Sequence, residues 1–131
     1  MRSLITSLAL ALAAFLLYLP SADFGFIYYD DVRILADHPQ LYNGASLRDS
    51  VTAIVTAFPR EEPLLFRDLT WALDSRIFGF RNPRGFHFVN VVLHACVVAL
   101  CFASLLRITR RYFVALFAAV CFLALAVHVE P

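Results

Sequence analysis

The sequence contains no lysine, so all eleven of its strongly basic side chains are arginines. An arginine-only basic set is typical of a GC-rich, bacterial genome. No Asn-x-Ser/Thr acceptor occurs, so nothing marks a glycosylated surface. The formal net charge is only +1, which gives no reason to expect a nucleic-acid partner.

Cysteine is scarce and follows no metal-binding or redox spacing. The three cysteines are Cys96, Cys101 and Cys121, and each lies inside an apolar run. The chain has no CxxC pair and no zinc-type spacing. We therefore expect all three to be small, buried hydrophobic residues.

Apolar residues dominate what is present. Hydrophobic residues make up 61% of the chain, against about 45–50% in soluble domains, and this excess predicts a membrane protein. Three segments are candidate membrane-spanning helices, at about 4–20, 86–106 and 112–127, with a long loop over 21–85. The first also resembles a signal peptide, but Pro20 occupies a poor cleavage position, which favours an uncleaved helix.

The arginines predict an orientation. Arg2 precedes the first apolar segment, and the short turn "RITRR" between the other two contains Arg107, Arg110 and Arg111. The positive-inside rule places both in the cytoplasm. The loop 21–85 and the chain end are then periplasmic, in a bacterial inner membrane.

The loop itself contains two helical patterns. Residues 46–58 carry apolar residues on one face, with Ser46 as N-cap, Asp49 three residues on, and Pro59 at the end. Residues 63–80 place Phe66, Leu69, Leu73, Ile77 and Phe80 on one face and Arg67, Thr70 and Asp74 on another, between Pro63 and Gly79. Both helices fit elements on a membrane surface or helices packed on each other.

An acidic pair follows an aromatic run in "FIYYDDVRIL". Asp30 and Asp31 would be held against the membrane plane, because tyrosine is enriched in the interfacial belt. Adjacent, partly desolvated carboxylates repel, which would raise the pKa of one and suit a general base. The alternative is a solvated loop pair.

Polar residues also mark the second apolar segment and the chain end. His87, Asn90 and His94 share one helical face, which predicts that they face a bundle interior, as a structural hydrogen-bond network or a functional group. His128 and Glu130 follow the third segment. Together with Asp31 they would suit a divalent cation such as Mg²⁺ or Mn²⁺.

The ordered motifs "YYDDVRILADHP", "FRDLTWALDSRIFGFRNPRGFHFVNVVLHA" and "AVHVEP" resemble the start of GT-C membrane glycosyltransferases. The branch that matches best is the transmembrane, tetratricopeptide-repeat O-mannosyltransferase-like proteins. The chain departs from that pattern at His38, where the family has Asn, at Asp68, where it has Pro, and at Ala126 and Val127. The resemblance implies an all-α fragment, residues 1–131, of a larger GT-C bundle.

That resemblance also implies a function. The family transfers a sugar from a polyprenyl-phosphate donor in the bilayer to an acceptor hydroxyl on the outer face. Asp30 or Asp31 would be the base, and Arg67 would pair with the donor phosphate. Residues His87, Asn90, His94, His128 and Glu130 would line the substrate cavity. The chain alone is expected to be inactive.

Two other hypotheses remain open from the residues. The chain could be a non-catalytic membrane subunit that binds a partner through its outer loop. It could also be part of a transport path lined by His87, Asn90 and His94. The transferase hypothesis makes Asp31 the most sensitive position, whereas the path hypothesis makes it His94.

Overall fold

A computed structural model describes residues 2–26, 46–56 and 65–125, and over these ranges the chain is helical with no strand. The helices are α1 (Arg2–Tyr18), a 3₁₀ helix (Leu19–Asp23), α2 (Leu47–Thr56), α3 (Leu65–Phe78), α4 (Pro83–Thr109) and α5 (Tyr112–Ala124). The all-α prediction is confirmed for the described residues.

Two helical segments are long and apolar enough to cross a membrane. They are α1 continued by the 3₁₀ helix, Arg2–Asp23, and α4, Pro83–Thr109. Their 22 and 27 residues give lengths of about 33 and 40 Å, against a hydrocarbon core of about 30 Å. The second helix exceeds the predicted 86–106 at both ends, so Arg107 lies in its last turn rather than in the connecting turn. These two helices indicate a membrane location.

The third predicted span, 112–127, is not confirmed. As described, α5 has 13 residues, which is about 20 Å of helix. Leu125 has an extended backbone, with φ −79° and ψ 101°, and ends the helix. Residues 126–131 lie outside the described ranges.

The chain forms two compact units. The bundle unit comprises residues 1–22 and 87–130, and the loop unit comprises 23–86 with 131. In the bundle unit α1 and α5 run parallel. Thr6 Oγ1 lies 2.8 Å from Tyr112 Oη near their beginnings, and Tyr18 Oη donates to the Leu123 carbonyl at 2.9 Å near their ends. This is the relative direction expected if the chain passes through the membrane between them.

Small residues form much of the bundle core. The buried cluster is Leu10, Ala14, Ala95, Val98, Phe102, Ala115 and Ala119. Alanine lets helix backbones approach closely, which is how helices associate where lipid removes the hydrophobic driving force. Large apolar side chains such as Leu8, Leu12, Phe113 and Phe117 are exposed instead, as on a surface that faces lipid.

In the loop unit α2 and α3 pack against each other. The predicted cap is confirmed, since Ser46 Oγ accepts from the Asp49 N–H at 3.1 Å and donates to the Asp49 carboxylate. Gly79 ends α3 as predicted. Its φ is +94° and its N–H donates to the Ser75 carbonyl at 3.0 Å. The predicted ends at Pro59 and Pro63 lie outside the described residues.

The burial of α3 is the reverse of that in an ordinary amphipathic helix. Its buried residues are Asp68, Ala72, Asp74 and Ser75, whereas Phe66 is 84% and Ile77 62% exposed. Of the predicted apolar face, Phe66, Leu73 and Ile77 are exposed and Leu69 is half-buried, while Phe80 lies beyond the end of α3 and is half-buried. Of the predicted polar face, Asp74 is buried, Arg67 is half-buried and Thr70 is exposed, so the buried side of α3 consists of two aspartates and two small residues.

Candidate functional site

Four of the predicted site residues lie outside the described ranges. They are Asp30 and Asp31 of the acidic pair and His128 and Glu130 near the chain end. Their roles as base, substrate contacts and cation ligands therefore stay predictions. Arg67, His87, Asn90 and His94 are described.

Arg67 lies in the first turn of α3 and is held in place from two sides. Its Nε and Nη2 atoms donate to the same oxygen of Asp68, at 2.9 and 2.8 Å. Its guanidinium carbon lies 5.7 Å from the centre of the Trp71 ring, in cation–π range. Asp68 is buried, whereas the Arg67 side chain is 35% exposed.

This arrangement leaves Arg67 able to bind an anion. A guanidinium has five N–H donors, and Asp68 engages two of them. The remaining donors match a phosphate in geometry and charge. Asp68 stands where the GT-C pattern has proline, and the structure shows a local role for it, the orientation of Arg67.

Aromatic contacts hold the Trp71 ring, over which the Arg67 guanidinium lies. Trp71 meets Phe86 edge to face, with ring centres 5.9 Å apart. Phe86 in turn meets Phe26 at 5.6 Å. The start of α4 and the residues after the 3₁₀ helix thereby support the middle of α3 within the loop unit.

Asp74 is a titratable group that the sequence prediction placed only on a polar face. It is 5% exposed, and no described residue donates a hydrogen bond to it or pairs with it. Burial raises the pKa of its carboxyl to about 6. A carboxyl of that pKa can exchange a proton near neutrality. Its burial follows from how α3 packs, so no local sequence pattern identifies it.

The two histidines of the predicted polar face on α4 are buried, as predicted. His87 and His94 are 6% and 5% exposed, and Asn90 is half-buried. His94 lies between two helices, with Tyr18 of α1 edge to face at 5.0 Å and Phe122 of α5 stacked at 5.7 Å. This makes His94 a junction of the three bundle helices. Its role in a network or a path stays a prediction.

No group of three histidine, cysteine or carboxylate side chains gathers into a metal site among the described residues. The predicted cation ligands, Asp31, His128 and Glu130, all lie outside those residues. The cysteines behave as separate free thiols, and Cys96 and Cys121 are exposed on the bundle helices rather than buried as predicted.

Comparison with known proteins gives no relative. No family model, curated protein or solved structure matches this chain.

Proposed function

We propose that this chain supplies the N-terminal helices of a polytopic glycosyltransferase, which moves a sugar from a polyprenyl-phosphate donor to an acceptor hydroxyl on the outer membrane face. The observation that supports the proposal is the partly exposed and fixed guanidinium of Arg67. A partly exposed guanidinium, oriented by Asp68 and Trp71, is suited to the phosphate of a donor.

In this scheme the donor's lipid tail lies in the bilayer beside the bundle helices. Arg67 offsets the negative charge that develops on the departing phosphate. Asp30 or Asp31 accepts the proton of the acceptor hydroxyl. A divalent cation such as Mg²⁺ or Mn²⁺ would be held by Asp31, His128 and Glu130. His87, Asn90 and His94 would contact substrate on the bundle unit.

Trp71 provides the test of the Arg67 assignment, because it is the sole tryptophan and contacts that guanidinium. Purified chain in phosphatidylcholine nanodiscs is titrated with a polyprenyl phosphate while Trp71 emission is recorded. We expect a saturable change with the phosphate and none with the matching polyprenol. Arg67→Gln should abolish it, and Arg48→Gln, which alters another exposed arginine of the loop unit, should not.

A second variant sharpens the result. Asp68→Asn keeps the shape of the Asp68 side chain but removes its charge, so it stops competing with phosphate for Arg67. Binding should tighten, because the asparagine oxygen can still accept from Arg67 and keep its orientation. An equal emission response to polyprenol and polyprenyl phosphate would exclude phosphate recognition. So would an unchanged response in Arg67→Gln.

The orientation that the proposal needs has its own test. In a background with Cys96, Cys101 and Cys121 replaced, a single cysteine is introduced at position 31 or at position 109. An impermeant thiol reagent added outside bacterial spheroplasts should label position 31 and not position 109. The opposite pattern would place the loop unit in the cytoplasm and remove the outer-face reaction.

A second function has a specific observation in its favour. Phe66, Leu73 and Ile77 form an exposed apolar face on α3, which suits a non-catalytic membrane subunit that binds a partner protein. In a full complex, Phe66→Gln with Ile77→Gln would then release the partner while Asp31→Asn would leave it bound. The transferase hypothesis instead expects Asp31→Asn in the complete enzyme to abolish transfer with normal insertion.

A further inference from the structure

Four arginines meet at one end of the bundle unit, and we call them the basic end: Arg2, Arg107, Arg110 and Arg111. The 2.8 Å contact between Thr6 and Tyr112 brings the beginnings of α1 and α5 together. Arg2 lies one turn before Thr6, whose Oγ1 donates to its carbonyl at 3.0 Å. The other three arginines lie at the end of α4 and in the turn that leads directly into Tyr112.

The turn is short and ordered, so the cations are held close together. Only Arg110 and Arg111 separate α4 from α5. Arg110 adopts φ +54°, a left-handed conformation that reverses the chain, and its N–H donates to the Leu106 carbonyl at 2.9 Å. The Arg111 N–H donates to Thr109 Oγ1 at 3.2 Å.

The charge of the basic end is not neutralised by its surroundings. The sequence has no Asp or Glu over residues 1–22 or 85–129. All four arginines are exposed, and no ion pair reaches them from the described residues. By contrast, Arg67 and Arg84 of the loop unit are paired with Asp68 and Asp23.

Exposed apolar side chains flank these cations. Ile108, which follows Arg107, is 79% exposed, and Tyr112 and Phe113, which follow Arg111, are 37% and 81% exposed. Aromatic residues of this kind are typical of the boundary between headgroups and acyl chains. An arginine at that boundary lays its methylene groups along apolar surface and extends its guanidinium to the charged headgroup layer.

We propose that the basic end is a binding surface for the phosphodiester headgroups of anionic phospholipids. A cluster of four unpaired guanidinium groups complements these phosphates in charge and geometry. The apolar flank favours a phosphate that carries acyl chains over a soluble one. This interaction is independent of any glycosyl transfer and needs only that the bundle unit lies in a bilayer.

Spin-labelled lipids provide the test. The chain is reconstituted in phosphatidylcholine vesicles that contain trace spin-labelled phosphatidylglycerol or spin-labelled phosphatidylcholine. The fraction of label slowed by the protein gives the relative association of each lipid. A basic residue near the surface changes association about fivefold, so the parent should prefer phosphatidylglycerol clearly. The preference should weaken at about 0.5 M salt.

Variants show whether the lipid preference depends on the basic end or only on the net charge of the chain. The triple variant Arg107→Gln, Arg110→Gln and Arg111→Gln should bring the association ratio of phosphatidylglycerol to phosphatidylcholine close to one. The corresponding triple lysine variant should retain most of the preference. Arg48→Gln with Arg81→Gln removes two exposed arginines of the loop unit and should leave it unchanged. Circular dichroism confirms that each variant keeps the parent's helix content.

Three results would overturn the proposal. The first is a parent that shows no preference for phosphatidylglycerol. The second is an equal loss in the Arg48 and Arg81 control, which would mean that only net charge matters. The third is complete competition by excess inorganic phosphate, which would identify a soluble anion as the occupant.

Discussion

Replacing Asp74 with asparagine should stabilise the loop unit at neutral pH. The Asp74 carboxyl is buried, and no described residue donates to it or neutralises it. Because burial penalises the charged form, the pKa of this carboxyl rises from 3.8 to about 6. Asparagine has nearly the same shape and never ionises, so it removes the penalty without opening a cavity.

The magnitude and the sign follow from proton linkage. Between about pH 4 and pH 6 the folded state holds a proton that the unfolded state has released. The free energy of unfolding therefore falls as pH rises through this window and reaches its lower plateau above pH 6. The rise of the Asp74 pKa from 3.8 to about 6 lowers the free energy of unfolding by about 3 kcal/mol at neutral pH. That is the largest gain expected for Asp74→Asn at pH 7, with little gain below pH 4.

Trp71 lies one turn before Asp74 and is the sole tryptophan, so its emission reports unfolding of the loop unit. Urea titrations in nanodiscs should show the Asp74→Asn midpoint raised by about 2 M at pH 7. Asp68→Asn is the matched control, because it also alters a buried carboxyl of α3 but removes a partner from Arg67. It should lower stability by about 1 kcal/mol. Equal pH slopes in the parent and Asp74→Asn would refute the reasoning.

Three further predictions use local contacts. Ser46→Ala removes the cap of α2 and should lower the same urea midpoint by an amount equivalent to about 1 kcal/mol; an unchanged midpoint would mean that the cap contributes nothing. Gly85→Ala places a Cβ against the Phe78 side chain and should cost about 1–3 kcal/mol, whereas Gly25→Ala meets no atom and serves as control. Tyr18→Phe removes the hydrogen bond to the end of α5 and should speed amide hydrogen exchange there; equal rates would show that this bond does not hold α5.

Local patterns predicted the helices well because capping and breaking residues act within one turn. Ser46 caps α2 by accepting a hydrogen bond from the N–H of Asp49, three residues further along the chain. Gly79 ends α3 with a φ of +94°, a conformation that is unfavourable for other residues. The helical segments Arg2–Asp23 and Pro83–Thr109 are long enough to cross the hydrocarbon core of a bilayer, so apolar length alone was sufficient to predict them. The end of α5 carries no such breaker, and its early termination at Leu125 was missed.

Site geometry was only partly predictable, because burial depends on which helices meet. The spacing of His87, Asn90 and His94 predicted a shared interior face, and the two histidines are buried while Asn90 is half-buried. The contact of His94 with Tyr18 and Phe122 depends on the parallel arrangement of α1 and α5, which no local pattern encodes. The same is true of the bond between Arg76 and Ser50, which joins α3 to α2 at 3.1 Å.

The exposed apolar face of α3 follows the same physical rule as the helices of the bundle unit. In the bundle unit, large apolar residues point outward and small or polar ones inward, as expected where the surroundings are lipid. The helix α3 repeats this pattern, with Phe66 and Ile77 exposed and Ala72 and Asp74 buried. Large apolar side chains gathered on one exposed face are unfavourable in water. An apolar contact at the face of α3 would remove this unfavourable exposure to water.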